Sequence, residues 1–273
     1  MEPEIEPRIK PKNLLFIMSD QHGPSFMGCS GHPMVKTPNL DRLAARGTRF
    51  ENAYTNCPIC VPARASFATG RYVHDCGYWD NADPYDGAVE GWGHRLIAQG
   101  HTVVSIGKLH YRCEDDPTGF SQQVIPLHVV DGVGDLIGLI RDDLPERKAA
   151  AKYAGDTGRG ESSYINYDRN IADAAVKWLS EDAARHADKP WVLFVSFVCP
   201  HFPLIAPEEF YDLYPEDQVP WPDLYDEAGR PTHPYYHAMR ECINYDKYFD
   251  EAAVRRAVAG SFGLCSFVDH NVG

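Results

Sequence analysis

The sequence predicts an α/β protein with a mostly parallel sheet sandwiched by helices, and three observations carry that expectation. Three runs, Asn13 to Met18, Thr102 to Ile106 and Trp191 to Val198, are continuously apolar, the mark of strands covered on both faces. Helical spacing fills the intervals, as in Thr37 to Gly47, Gly93 to Gly100 and Ser163 to Ser180. Polar clusters follow each run: Ser19-Asp20-Gln21-His22, Gly107-Lys108-Leu109-His110 and Cys199-Pro200-His201. Open α/β sheets bind ligands at the carboxyl edge, where those clusters fall.

At 273 residues the chain can form one large α/β domain or two smaller ones. A formal charge of −13 with no compensating basic block argues against a phosphate-tracking nucleic-acid binder. A small anion would therefore need a local positive pocket. No apolar run serves as a secretory signal or reaches membrane-spanning length, and the eight cysteines lack disulfide spacing. These features lead us to expect a soluble cytoplasmic protein with reduced thiols and no membrane or nucleic-acid partner.

The elements follow in order. Residues 1–12 are charged and rich in proline, and read as a loose arm before the first strand. Asp20 at the end of that strand would, if isolated, do no more than cap a turn. Gly28 to Pro33 reads as a loop. Thr37 to Gly47 has Pro38 at its first helical position, Leu40, Leu43 and Ala44 on one face, and a glycine stop, and forms a scaffold helix. Phe50 to Tyr54 is strand-like, and Cys57 to Tyr72 reads as a loop feeding a helix that starts near Val61 or Pro62 and stops at Gly70. Cys60 then lies at the helix start with Arg64 one turn on, where free N–H groups and the dipole favour an anion. Read singly, Cys60 is a small buried hydrophobe and Arg64 a solvated charge.

Tyr78 to Asn81 is turn-like, and an asparagine there is ordinary turn chemistry. After the second apolar run, the spacing of Lys108 and His110 points both toward the same cleft. Either alone would be a surface lysine or a hydrogen-bonded histidine. Residues 111–160 show little periodicity and read as a long insertion near a substrate mouth. His201 lies just past the third run, and Tyr235 to Asp250 and Glu251 to Asp269 read as helices whose aromatic stripe packs in the core.

Cys60-x-Pro62-x-Arg64, followed by Ala65-Ser66 and Thr69-Gly70-Arg71, resembles the signature of the sulfatases, as do Asn52-Ala53-Tyr54, the Thr37 to Gly47 segment, Gly107-Lys108-Leu109-His110 and Pro200-His201-Phe202-Pro203. The resemblance runs from about Asn13 to the last residue and implies an alkaline-phosphatase-like fold. It implies that Cys60 is converted to formylglycine by a formylglycine-generating enzyme. One hydroxyl of the hydrated aldehyde attacks sulfur, and the other is deprotonated to expel sulfate. It makes Asp20 a ligand of a divalent metal, with Ca²⁺ ahead of Mn²⁺ or Mg²⁺ and residue 60 beside it. Lys108 would hold a sulfate oxygen, His110 would position or deprotonate the diol, and His201 would bind the anion or protonate the leaving oxygen. Many sulfatases carry two consecutive aspartates at the first metal segment. Asp20-Gln21 here is similar to the choline-sulfatase and phosphonate-monoesterase-like branches, which makes Gln21 a neutral ligand or substrate contact and Asn81 a neighbour of the substrate anion.

The chain stops inside the helix after which complete members continue, so residues 13–273 are expected to be the N-terminal portion of a sulfatase catalytic domain, an incomplete fold without the later metal pair. Asp269-His270 superficially resembles that pair but falls in a helix. The expected function is hydrolysis of a small-molecule sulfate ester, weak or absent in this chain because Asp20 alone cannot supply a hard cation's oxygen ligands. A phosphonate or phosphate ester hydrolase and a non-catalytic remnant are the alternatives. The redox reading of Cys57-Pro58-Ile59-Cys60 as a thiol-disulfide pair stands behind them.

Overall fold

The computed structural model describes residues 12–134, 146–147 and 149–273, so the arm expected over 1–12 falls almost wholly outside them. Six strands are present among the described residues: β1 (Leu14–Met18), β2 (Val103–Lys108), β3 (Gln122–Leu127), β4 (Thr157–Arg159), β5 (Val192–Ser196) and β6 (Leu204–Ala206). Four of them form one sheet in the order β1-β5-β2-β3, and every pair in it is parallel. All four carboxyl ends therefore emerge at one edge. β4 and β6 pair separately, also in parallel.

The helices are α1 (Pro38–Arg46), α2 (Cys60–Thr69), α3 (Val73–Cys76), α4 (Trp92–Ala98), α5 (Ala149–Gly155), α6 (Ser163–Lys177), α7 (Glu208–Tyr211), α8 (Pro234–Ile243) and α9 (Glu251–Val272). On one face of the sheet, Ile171 and Ala175 of α6 pack on Val104, Ile106, Leu193 and Val195. On the other, Ala65 and Ala68 of α2 pack with Phe194, Tyr85 and Leu109. Adjacent residues of β5 thus serve opposite faces, as the strand period requires. Each such side chain contributes about 1.5–3 kcal/mol by burial, which is why the two central strands carry no polar alternation. A further core forms where α9, through Phe262, Leu264 and Phe267, meets Ile165 and Tyr214.

β2 and β5 are buried throughout, as their sequences predict, but β1 is not. Leu14, Leu15 and Ile17 remain 48%, 42% and 37% exposed because β1 is an edge strand. The strand expected at Phe50 to Tyr54 does not form. It finds no ladder partner among the described residues, and Phe50 and Tyr54 are exposed. The stretch read as an insertion instead contributes β3 to the main sheet; its polar residues and Pro126 suit an edge position. α2 starts at Cys60, one or two residues earlier than the sequence suggests.

α1 has the expected Pro38 start, but Thr37 makes no capping bond to it. The cap comes from far away in sequence. Asp269 of α9, only 2% exposed, accepts hydrogen bonds from the Asn39 and Leu40 amides and the Asn39 side chain. This carboxylate is committed to tying two helices together, in keeping with the expectation that Asp269-His270 is a helix end and no metal pair.

Candidate active site

Three strand ends and one helix start build the site. Asp20 follows β1, Lys108 ends β2 with His110 just beyond, His201 follows β5, and Cys60 opens α2 with Arg64 one turn later. At β2 the chain is shaped for this. Gly107 takes φ +96°, and a Cβ there would lie 2.3 Å from the Ser196 carbonyl oxygen, so only glycine lets β2 and β5 approach. The β2–β3 register then shifts, with Ile125 of β3 at φ 43°, and the Leu127 carbonyl accepts both the Leu109 and His110 amides. His110 itself is left-handed at φ 58°.

Arg64 organises the centre. Its Nη1 donates to the Lys108 carbonyl (2.6 Å) and the Ser196 hydroxyl (3.1 Å), and its Nη2 to Asp20 Oδ2 (2.9 Å). Lys108 Nζ reaches the same Asp20 Oδ2 at 2.9 Å. Asp20, Arg64 and Lys108 are 8%, 5% and 4% exposed, so these pairs are poorly screened by solvent. Burial alone would raise the Asp20 pKa, but Lys108 and Arg64 outweigh it and hold the carboxyl at about 2. Asp20 is thus an anion at any physiological pH.

Cys60 Sγ lies 3.9 Å from Asp20 Oδ1, and Asp20, Cys60 and His201 bring ligand atoms within 4.8 Å of one another. Burial and then the Asp20 charge push the Cys60 thiol up, against the partial pull of Lys108 and Arg64. That is the wrong direction for a redox nucleophile, which needs a lowered pKa at a helix start. The redox reading of Cys57 and Cys60 therefore finds no electrostatic support. Cys57 and Cys60 are both free thiols.

The two histidines differ in their surroundings. His201 bonds through Nδ1 to the Phe202 carbonyl at 2.6 Å. A carbonyl only accepts, so Nδ1 carries the proton and Nε2 is left with a lone pair. Burial, then Lys108, lowers its pKa. His110 is driven further, to about 3, by burial and then by Lys108 and Arg64, so it is neutral. Its Nδ1 is buried with no hydrogen-bond partner among the described residues.

The remaining sequence candidates fall around this core. Gln21, at φ 61°, lines a cleft of about 430 Å³ with Asp20, Cys57, Cys60 and Arg64. Asn81 Oδ1 accepts the Val61 amide at 3.0 Å, fixing the start of α2 from outside. Asn81 and His110 share a second cavity of about 400 Å³ with Val129, Val130 and Val133. Five expected residues, Asp20, Cys60, Arg64, Lys108 and His201, therefore form one cluster, with Gln21 on the wall of its cleft and Asn81 and His110 lining the second cavity. Ser196, whose hydroxyl accepts from Arg64, could not be picked out in the sequence, because a serine ending an apolar strand carries no signal of its own.

A buried carboxylate gripped by two cations, beside a helix start and an imidazole lone pair, thus sits at the carboxyl edge of a parallel sheet in an α/β protein. The sulfatase profile matches residues 12–272, and the chain belongs to the sulfatase family. It is 29% identical to a choline-sulfatase of Rhizobium meliloti, over 96% of this chain and 52% of that protein. It is 28% identical to an arylsulfatase of Clostridium perfringens, over 96% of this chain and 58% of the relative. The chain thus spans little more than half the length of these curated relatives. In fold it is similar to the phosphonate monoester hydrolase of Agrobacterium radiobacter, with a TM-score of 0.72 and 21% identity over 96% of this chain and 58% of that one. It is also similar to a 2-O GAG sulfatase, with a TM-score of 0.63, 20% identity and coverage of 96% and 53%. The fold is therefore alkaline-phosphatase-like.

Proposed function

We propose that the protein hydrolyses a small-molecule sulfate ester through a formylglycine made from Cys60. The observation that carries this reading is the placement of Cys60 at the start of α2, 3.9 Å from an Asp20 carboxylate that Lys108 and Arg64 both hold. A sulfate beside residue 60 would meet Lys108 and the helix dipole, both suited to its charge. His110, neutral and with a free buried Nδ1, would accept a proton from the modified side chain, and His201 would face the leaving oxygen. Asn81 keeps the helix start in place while this happens.

Asp20, His201 and the position of Cys60 Sγ would hold part of a divalent cation's shell. When bound, the ion would supply positive charge against the anionic substrate and raise the acidity of the nucleophile. Asp20 is the one carboxylate of the trio, fewer oxygens than Ca²⁺ takes, and the imidazole would suit Mn²⁺ better than Ca²⁺. Turnover by these residues alone is accordingly weak in this reading. No described helix is long and apolar enough to cross a membrane.

The test is to co-produce the protein with a formylglycine-generating enzyme, measure the intact mass of the Cys60 peptide, and assay aryl sulfate, choline sulfate and a phosphonate monoester with Cys60→Ala as control. Loss of sulfur from that peptide together with Cys60-dependent hydrolysis of a sulfate ester is the expected result. Sulfur retained at Cys60, or hydrolysis unchanged in Cys60→Ala, would overturn the reading. A rate on the phosphonate above that on both sulfates would move the substrate to the alternative class.

A further inference from the structure

α6 carries a buried carboxylate outside the candidate site. Asp168 has no exposed surface, and its two oxygens accept hydrogen bonds from the amides of Val198 (2.8 Å) and Cys199 (2.8 Å). These amides come directly after β5, whose ladder ends at Ser196 with the Phe197 amide still bonded to the Met18 carbonyl. Beyond that point the chain leaves the sheet, and each buried N–H would go unsatisfied without another acceptor. Asp168 takes both. His201 follows two residues later.

The same helix meets His201 a second time. Tyr164 lies four residues before Asp168, so the two project from one face of α6. The Tyr164 ring packs edge-on to the His201 ring at 6.0 Å between centroids. One rigid element therefore holds the main chain ahead of His201 through Asp168 and backs its imidazole through Tyr164. α6 is itself fixed by Ile171 and Ala175 against the sheet and by Ile165 in the α9 core.

We infer that Asp168 and Tyr164 are positioning residues for His201: Asp168 sets where the chain leaves β5, and Tyr164 sets the orientation of the ring. The inference rests on the reading of His201 as a site residue only for its importance to catalysis; the geometry it asserts stands apart from that reading. Asp168→Asn offers one acceptor oxygen where two are needed and turns an NH₂ toward an amide. Roughly tenfold or faster hydrogen exchange at Val198 or Cys199 is expected, the factor that matches losing a hydrogen bond to a charged acceptor.

The experiment is NMR on protein with labelled histidine and backbone nitrogen, comparing wild type with Asp168→Asn and Tyr164→Leu. In Asp168→Asn the Val198 and Cys199 amides lose protection and the His201 ring resonance moves, while the His22 and His110 resonances stay. In Tyr164→Leu the His201 resonance moves and the amides keep their protection, so this variant still decides the matter if Asp168→Asn fails to fold. Unchanged His201 resonances in both variants, or equal shifts of all three histidines, would overturn the inference. His201→Ala in the hydrolysis assay tests the other reading separately: full activity there would remove His201 from catalysis and leave the NMR result standing.

Discussion

Two buried aspartates, Asp20 and Asp168, solve the same problem in opposite ways. Asp20 faces two cations and is held at about 2; Asp168 faces backbone amides, and burial pushes it up to about 6 despite them. Cations compensate a buried charge with energy to spare, while two amide dipoles compensate it only in part. The difference separates what each carboxylate contributes. Asp20 is a stable fixed anion around which a pocket can be assembled. Asp168 costs the fold stability as an anion and gives direction in return.

Predictions that sharpen this contrast run from large effects to small. Cys60→Ala, next to Asp20, is expected to lower any ester hydrolysis by at least about a thousandfold, because the nucleophile is gone. Its urea midpoint should stay near wild type, which steady-state assays and equilibrium unfolding would check together. Asp20→Asn leaves Lys108 and Arg64 facing each other without their shared anion. A loss of about 3–5 kcal/mol is expected from unfolding titrations, the range for breaking a buried pair. A loss no larger than that of an exposed salt bridge would mean the cluster is hydrated.

The pH dependence of stability separates the two carboxylates by sign. The folded-state pKa of Asp20 lies below its ordinary 3.8, so its contribution is present above about 4 and is lost as pH falls toward 2. For Asp168 the folded value lies above 3.8, so its contribution is complete below about 4 and is lost as pH rises through 6. Each limb is worth about 2–3 kcal/mol at 1.36 kcal/mol per pKa unit. Urea titrations between pH 2 and 7 should show Asp20→Asn flattening the lower limb and Asp168→Asn the upper. The same limb altered by both variants would break the comparison. The smallest effect is at Asn81, where Asn81→Ala removes the acceptor for the Val61 amide. About 1 kcal/mol of stability is expected to be lost by thermal or urea unfolding.

Much of this was legible in the sequence. The apolar runs at β2 and β5 mark central strands because burial on both faces leaves no polar period, and the polar residues after them announce the ligand edge. Cys60 with Arg64 could be placed because their spacing follows from helix geometry, whereas His110, left-handed and past the end of β2, does not follow the strand spacing that was expected to pair it with Lys108. β3 was not legible, since an edge strand of Gln122, Gln123 and Pro126 has neither the composition nor the alternation of a buried one. Phe50 to Tyr54 has that composition and no partner, which shows that strand propensity needs a ladder to act on. Asp168 was invisible for another reason. An aspartate among Tyr167, Arg169 and Asn170 reads as part of a solvated helix face, and only the tertiary fold reveals that amides 30 residues away need it.

The three-way bond of Arg64 carries a last consequence. One guanidinium spans the ends of β1, β2 and β5 by holding Asp20, the Lys108 carbonyl and Ser196, and none of its anchor points is residue 60. The frame is bolted together independently of the tool it carries. Replacement of that one side chain by another small residue is therefore expected to leave the three strand ends joined as they are.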